Sequence, residues 1–146
     1  MAVLVDTNVI LDVLTDDPEW AGWAVRMLEE HEDLGLVIDP AIYAELAFGF
    51  ESAAEVDELV KRFGFGYEEI PREGLFVAAR AFRGYKRRGG TKDFVLPDFF
   101  VGGHASAAGH RLLTRDTGRY ATYFPQVKLI TPGGGRSALS ATPSAI

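Results

Sequence analysis

The 146-residue chain contains no cysteine. It therefore cannot form a disulfide framework, a thiolate metal site or a cysteine nucleophile, and any metal must be held by oxygen or imidazole ligands. The chain also lacks an apolar run close to the roughly 20 residues that a membrane helix needs. Its N-terminus, MAVLVD, has no basic segment ahead of the apolar residues. We therefore expect a soluble cytoplasmic protein with no membrane span and no signal peptide.

Positive charge is also scarce. The formal net charge is -6 at pH 7, which is opposite in sign to the charge of most nucleic-acid-binding domains. The positive charges are unevenly distributed along the chain, because one short stretch without acids carries six bases: Arg80, Arg83, Lys86, Arg87, Arg88 and Lys92. A local basic patch is compatible with the overall acidity. The alternative is that these cations complement the dipole at the end of a helix.

The phosphate-binding loops GxxxxGK[ST] and GxGxxG are missing as well, so a glycine-rich nucleotide cradle is not indicated. What the sequence does contain is an alternation of strands and helices. The pattern predicts strands at residues 2–5, 34–38, 111–114 and 127–131, a weak edge strand at 67–70, and helices that include 18–30, 72–88 and 98–109. This alternation predicts an α/β fold with a mainly parallel sheet flanked by helices. We assign residues 1–131 to one domain and residues 132–146 to a flexible C-terminal tail rich in Gly, Ser, Ala, Thr and Pro.

Acidic residues follow two of the predicted strands. Asp6 closes the first strand, and Asp116 follows the strand at 111–114. Ligands of open parallel sheets bind beyond the carboxyl ends of the strands, and Glu45 and Asp98 lie on helices that can reach the same edge. At about 4 Å and an effective dielectric constant near 20, each pair of like charges costs on the order of 4 kcal/mol. Convergence of these four acids therefore predicts a bound divalent cation, Mg²⁺ or Mn²⁺.

Each of these acids also has an ordinary structural explanation, because Asp at a strand end is often only a helix cap. We assign four other aspartates, which lack a comparable context, to caps and solvated faces: Asp12, Asp16, Asp17 and Asp39. The three histidines, His31, His104 and His110, are interpreted as structural. Trp20 and Trp23 are interpreted as core or partner-contact residues rather than a platform for stacking bases.

Four motifs in order resemble a known family. They are VDTNVILD at 5–12, the helix with Glu45, LPDFFVGGHA at 96–105 and LLTRD at 112–116. Together they are similar to PIN domains, and in particular to the VapC-type toxins of toxin–antitoxin systems, over roughly residues 2–131. The YKRRGG stretch at 85–90 also resembles that branch.

The resemblance implies a three-layer sandwich, Mg²⁺-dependent hydrolysis of RNA phosphodiester bonds by a metal-activated water, inhibition by a cognate antitoxin, and a homodimer. It implies that Asp6, Asp98 and Asp116 ligate the metal, with Glu45 as a further ligand or as the base that orients water. Asn8 and Thr114 would orient the carboxylates or a phosphate. The basic residues Arg83, Lys86, Arg87 and Arg88 would hold the RNA backbone.

Two other functions are compatible with the same residues. In the first, the chain is an α/β phosphohydrolase in which Asp6 is itself the nucleophile. The haloacid-dehalogenase type of such enzymes has a second Asp two places later, where this chain has Asn8. In the second, the chain is a non-catalytic PIN-like module that only binds proteins. The presence of acids at all four positions counts against the second alternative.

Overall fold

The computed structural model describes residues 1–133 of the chain. The predicted tail at 132–146 therefore lies, apart from its first two residues, outside the described part. The strands are β1 (Val3–Val5), β2 (Leu36–Ile38), β3 (Gly66–Tyr67), β4 (Arg111–Leu113) and β5 (Leu129–Ile130). The helices are α1 (Thr7–Leu14), α2 (Ala21–Glu30), α3 (Pro40–Ala47), α4 (Ala53–Phe63), α5 (Arg72–Arg87), α6 (Pro97–Ala108) and α7 (Gly118–Tyr123).

The five strands form one parallel sheet in the order β3-β2-β1-β4-β5. Strand β1 lies at the centre, and Val3, Leu4 and Val5 are completely buried because helices cover both faces of a parallel sheet. The predicted three-layer α/β fold is confirmed. Since β1 pairs with β4, the residues that follow these two strands lie side by side at the carboxyl edge of the sheet.

Several predicted boundaries were too generous. The strand predicted at 34–38 begins at Leu36, because Glu32–Leu34 form a 3-10 turn that ends at Gly35, whose φ is 88°. The strand predicted at 67–70 is only Gly66–Tyr67, although it does lie at the edge of the sheet as predicted. The helix predicted from residue 18 begins at Ala21, because the Asp17 carboxylate accepts hydrogen bonds from the amides of residues 19 and 20 in a turn before the helix.

Helices α5 and α6 cross closely because glycines face each other at the contact. A Cβ atom on Gly103 would come within 2.2 Å of the Gly74 carbonyl oxygen, so a side chain there would force the helices apart. At the other end of the crossing, the ring of Tyr85 lies 5.7 Å from that of Phe99. The two helices are therefore antiparallel, and the basic C-terminal end of α5 lies beside the N-terminal end of α6.

A buried hydrogen bond joins α3 and α6. Asp39 caps α3 by accepting from the amide of Ile42, and its second oxygen lies 3.0 Å from Nδ1 of His104, with both side chains almost fully buried. Asp39 is thus a cap, as predicted, but not a solvated one. Because this contact pairs the start of α3 with the later part of α6, the end of α3, with Glu45, points towards the start of α6, with Asp98.

None of the helices in residues 1–133 is both long enough and apolar enough to cross a membrane.

Candidate active site

Asp6 is the most buried of the four predicted site acids. It follows β1 directly, caps α1, and is only 4% exposed. Its Oδ1 accepts a hydrogen bond from the Thr7 amide at 2.8 Å. Its Oδ2 accepts hydrogen bonds from the hydroxyls of Thr114 at 2.7 Å and Tyr120 at 3.1 Å, and from the side-chain amide of Asn8 at 3.3 Å. A buried carboxylate needs such donors because water can no longer solvate it.

The loop after β4 is tied to the same carboxylate. Thr114 donates to Asp6, and its hydroxyl oxygen in turn accepts the backbone N–H of Asp116 at 3.0 Å. Asn8 donates to Asp6 and Thr114, and its Oδ1 accepts the backbone N–H of Arg115. Asp116 also accepts from the amides of residues 118 and 119 through Oδ1 at the start of α7. Hydrogen bonds therefore fix Asp116 relative to Asp6.

Glu45 and Asp98 complete the acidic edge. Glu45 lies near the end of α3 and accepts a hydrogen bond from the Thr7 hydroxyl at 2.7 Å. Asp98 lies in the first turn of α6 and is partly exposed. The structure thus brings Asp6, Glu45, Asp98, Asp116, Asn8 and Thr114 to one edge of the sheet, as predicted, although their chemical roles stay predictions.

The charges of these acids influence one another. Burial is the main cause that raises the pKa of Asp6 from 3.8 to about 6, and the charge of Asp98 adds to it, while the hydrogen bonds from Thr114, Thr7 and Tyr120 oppose it. Burial also raises the pKa of Asp98; Arg119 opposes this shift, and the charges of Asp116 and Glu45 reinforce it. Burial is therefore the main cause of both pKa shifts, and the neighbouring carboxylates add to it.

Arg119 supplies positive charge beside Asp98. Its Nη1 atom lies 3.9 Å from Asp98 Oδ2, and its guanidinium stacks on the rings of Tyr85 and Phe99 at 5.6 and 5.5 Å. Because Tyr85 belongs to α5, these contacts connect the basic end of α5 with the acidic site. Among the ion pairs of residues 1–133, the pair with Arg119 is the only one that involves the four site acids.

The donor set fits a hard divalent cation. All four acids offer carboxylate oxygens, the ligands that Mg²⁺ and Mn²⁺ prefer. Three donors occupy Asp6 Oδ2, whereas Oδ1 accepts one hydrogen bond and keeps a lone pair. One arginine beside four acids leaves negative charge uncompensated, and a divalent ion would offset it.

A second group of potential ligands lies elsewhere in the fold. Ligand atoms of Glu68, His104 and His110 all lie within 4.8 Å of one another. The hydrogen bonds already account for this cluster: the Ala2 amide donates to Nδ1 of His110, so the ring carries its proton on Nε2 and donates it to Glu68 at 2.7 Å. His110 then has no lone pair for a metal. This arrangement agrees with the structural interpretation of the histidines.

One aspartate near the site was predicted wrongly, and two residues that contact the site acids were not predicted. Asp12, predicted to be solvated, is 5% exposed and binds Arg115 through both carboxylate oxygens, so that prediction is wrong. Tyr120 and Arg119 were not predicted at all. Both lie on α7, about one helical turn after Asp116, and this spacing is the sequence feature that could have indicated them.

Comparison with known proteins shows the family of this chain and the likeness of its fold. Residues 3–125 match the family model of the PIN domain. A search of curated proteins finds no match. The fold is similar to that of VapBC2 from Rickettsia felis, bound to a promoter DNA fragment, with a TM-score of 0.67 and 15% identity over 90% of this chain and 98% of the other. It is also similar to FitAcB from Neisseria gonorrhoeae (TM-score 0.66, 21% identity, 89% and 97% covered) and to a toxin–antitoxin complex from Klebsiella pneumoniae (TM-score 0.64, 22% identity, 90% and 98% covered).

The titration of Asp6 tests the electrostatics of this edge. In protein freed of divalent ions with EDTA, we expect the side-chain carboxyl ¹³C signal of Asp6 to titrate near pH 6. A raised pKa means that the folded state binds the proton more tightly than the unfolded state. The stability that Asp6 contributes is therefore greatest below about pH 4 and is lost as the pH rises through 6, by about 3 kcal/mol in all.

A variant and an added cation should each shift the titration midpoint of Asp6 in a defined direction. Tyr120→Phe removes a donor that favours the charged form, so it should move the midpoint to higher pH. Millimolar Mg²⁺ should move it to lower pH, because a cation competes with the proton. A midpoint near pH 4 in EDTA would show that burial does not raise the pKa of Asp6.

Proposed function

Because this chain belongs to the PIN domain family, we propose that it is a metal-dependent endoribonuclease and the toxin of a toxin–antitoxin pair. The observation that carries the proposal is the acidic edge itself, where four carboxylates lie near one another and, among the described residues, only Asp98 has a cationic partner, Arg119. Structural carboxylates on a surface spread apart because they repel. Here Asp6, Glu45 and Asp116 are held by hydrogen bonds from α1, the residue after β4 and α7, and Asp98 pairs with Arg119. A site of this kind is suited to binding a cation.

In this proposal Asp6, Asp98 and Asp116 hold Mg²⁺ or Mn²⁺. When bound, the ion acidifies water and stabilises the negative charge that develops on phosphoryl oxygens. Glu45 accepts a proton from the attacking water or orients it, and its contact with Thr7 fixes the direction of its carboxylate. Arg119 offsets part of the charge on the scissile phosphate. Asn8 and Thr114 hold the carboxylates in place.

The basic end of α5 would bind the RNA backbone on either side of the cut. Lys86 is partly engaged by Asp93 at 3.9 Å, and Arg88 stacks on the ring of Tyr123 at 5.5 Å. Arg83 and Arg87 are exposed. A local group of cations can recruit a polyanion even when the net charge is negative.

The rival phosphohydrolase mechanism, with Asp6 as nucleophile, fits this arrangement less well. An attacking carboxylate must approach phosphorus at close range, and Asp6 is 4% exposed with one oxygen fully occupied by donors. In addition, Asn8 is bound to Asp6 and Thr114, so its amide is not free to act on a substrate. Trapping a covalent phosphoaspartate on Asp6 would decide in favour of the rival.

We propose that the antitoxin binds a groove of about 600 Å³ between α1, α2 and α4. Apolar residues that include Val13, Val25, Leu28 and Phe63 line the groove. Its charged border is mainly acidic, with four glutamates and one arginine: Glu29, Glu32, Glu55, Glu58 and Arg62. Val25 is 39% exposed there. An amphipathic helix with basic flanks matches both the apolar lining and the acidic border.

We also propose a homodimer. A second apolar surface lies beside Thr7 and Glu45 and includes Leu11, Ala41, Ala44, Phe48 and Phe100. Phe48 is 96% exposed. Exposed apolar surface of this kind is typical of protein–protein contacts, and a second copy of the chain is the partner that the sequence resemblance implies.

Cleavage assays test the nuclease proposal. Wild type with Mg²⁺ or Mn²⁺ should cut total bacterial RNA, and EDTA should stop it. Asp6→Asn and Asp98→Asn should each lower the rate by about 100-fold or more. Asp33→Asn is the matched control, because Asp33 is an exposed acid at the opposite edge of the sheet, and it should retain full activity. Undiminished cleavage by Asp98→Asn, or cleavage that persists in EDTA, would contradict the proposal.

Salt dependence of binding tests the role of the basic end of α5. In an Asp98→Asn background that does not consume the RNA, the double substitution Arg83→Gln and Arg87→Gln should weaken binding. It should also reduce the slope of log K against log[KCl] by about 0.7 for each lost phosphate contact. Arg26→Gln removes an exposed charge from α2 and should leave the slope unchanged. An unchanged slope in the double variant would show that α5 does not bind RNA.

Growth experiments test the toxin role and the groove. Induction of the wild type in bacteria should arrest growth, and a library of genomic fragments from the source organism should yield a fragment that restores it. Val25→Asp should still arrest growth but should no longer be rescued by that fragment, because a charge in the apolar groove opposes docking. Phe76→Asp changes an exposed apolar residue on α5 and should be rescued normally. Full rescue of Val25→Asp would place the antitoxin elsewhere.

A further inference from the structure

Asp12 and Arg115 form a contact that the proposed mechanism does not use. The Arg115 guanidinium donates through Nε to Asp12 Oδ2 at 2.5 Å and through Nη2 to Asp12 Oδ1 at 3.1 Å. The same guanidinium lies over the ring of Trp20, 5.3 Å from its centroid. A two-point contact of this kind fixes the arginine in orientation as well as in distance. With its fork occupied and its face covered, Arg115 is not available to bind substrate.

The contact between Asp12 and Arg115 matters for the site because Arg115 lies in the loop that carries two site residues. Arg115 lies between Thr114, which donates to Asp6, and Asp116, a proposed metal ligand. Its backbone N–H donates to Asn8 at 3.1 Å. Asn8 and Asp12 are four residues apart on α1 and therefore lie on one face of that helix. This face of α1 holds the backbone of Arg115 at one point and its side chain at another.

We propose that Asp12 is a positioning residue that acts through Arg115: by holding the guanidinium, it fixes the loop at 114–116 so that Asp116 stays in register with Asp6 for cation binding. This inference rests on the proposed metal-dependent function. Asp12 touches neither the cation nor the substrate. Its 5% exposure means that its charge is compensated by Arg115 and not by water.

Cation affinity is the readout, measured by electron paramagnetic resonance of free Mn²⁺ so that it does not depend on turnover. Asp12→Asn preserves the shape of the side chain but removes the charge, and it should raise the Mn²⁺ dissociation constant about 10- to 100-fold. Arg115→Lys keeps a positive charge but lacks the planar fork, and it should have a similar effect. Far-UV circular dichroism at the assay temperature must show that each variant is folded.

Loss of negative charge near the site would by itself weaken cation binding, so a charge-matched control is needed. Glu19→Gln serves this purpose, because Glu19 is exposed and its charge, like that of Asp12, acts on Arg115. It removes one negative charge from the same neighbourhood but leaves the contact between Asp12 and Arg115 intact. We expect its Mn²⁺ affinity to stay within about twofold of wild type, as screened surface charges act weakly.

A double-mutant cycle decides whether Asp12 acts through Arg115. The variant with both Asp12→Asn and Arg115→Gln should bind Mn²⁺ no more weakly than Arg115→Gln alone. Additive losses, or wild-type affinity in folded Asp12→Asn, would overturn the inference while leaving the nuclease proposal intact. If wild-type protein bound no Mn²⁺ and cut no RNA, the proposed function would fail first.

Discussion

The burial of the Asp6 carboxylate is the constraint on which the rest of the site depends. An ionised carboxylate removed from water is costly unless donors replace the lost hydration. Here the donors come from the Thr7 amide and Asn8 in α1, from Thr114 after β4 and from Tyr120 in α7. The hydrogen bonds that make burial tolerable are therefore also the ones that assemble the acidic edge. Removing any donor would weaken both the fold and the site.

A second constraint sets the distance between the two acids that lie on helices. Asp39 and His104 meet at one end of the contact between α3 and α6, and both are almost completely buried. Glu45 follows Asp39 by six residues, and Asp98 precedes His104 by six. Because the helices run in opposite directions, fixing the first pair fixes the register of the second. The close contact of glycines between α5 and α6 fixes the position of α6 as well.

The sequence was informative where a local pattern determines the position of a side chain. An acid directly after an apolar strand must lie at the carboxyl edge of the sheet, so Asp6 and Asp116 could be placed without a structure. Asp12 could not, because α1 inverts the usual pattern: Leu11 and Leu14 are 41% and 40% exposed while the acid between them is buried. Its partner Arg115 is 103 residues away, and no periodicity reports a contact at that separation. Tyr120 could not be predicted for the same reason, since the Asp6 carboxylate to which it donates is 114 residues away in the sequence.

The net charge of the chain does not indicate which partners it binds, because charges in salt solution act only over short distances. The Debye length is about 8 Å at physiological ionic strength, whereas a domain of this size has a radius of gyration of about 15 Å. Separate patches therefore attract different partners almost independently. The acids around Asp6 are suited to a cation, and those bordering the groove between α1, α2 and α4 to a basic helix. The bases that end α5 lie next to the first of these patches, where Arg119 links them to Asp98 through Tyr85. A chain with a net charge of -6 can thus still offer positively charged side chains to a polyanion beside the acidic site, where the chemistry would need them.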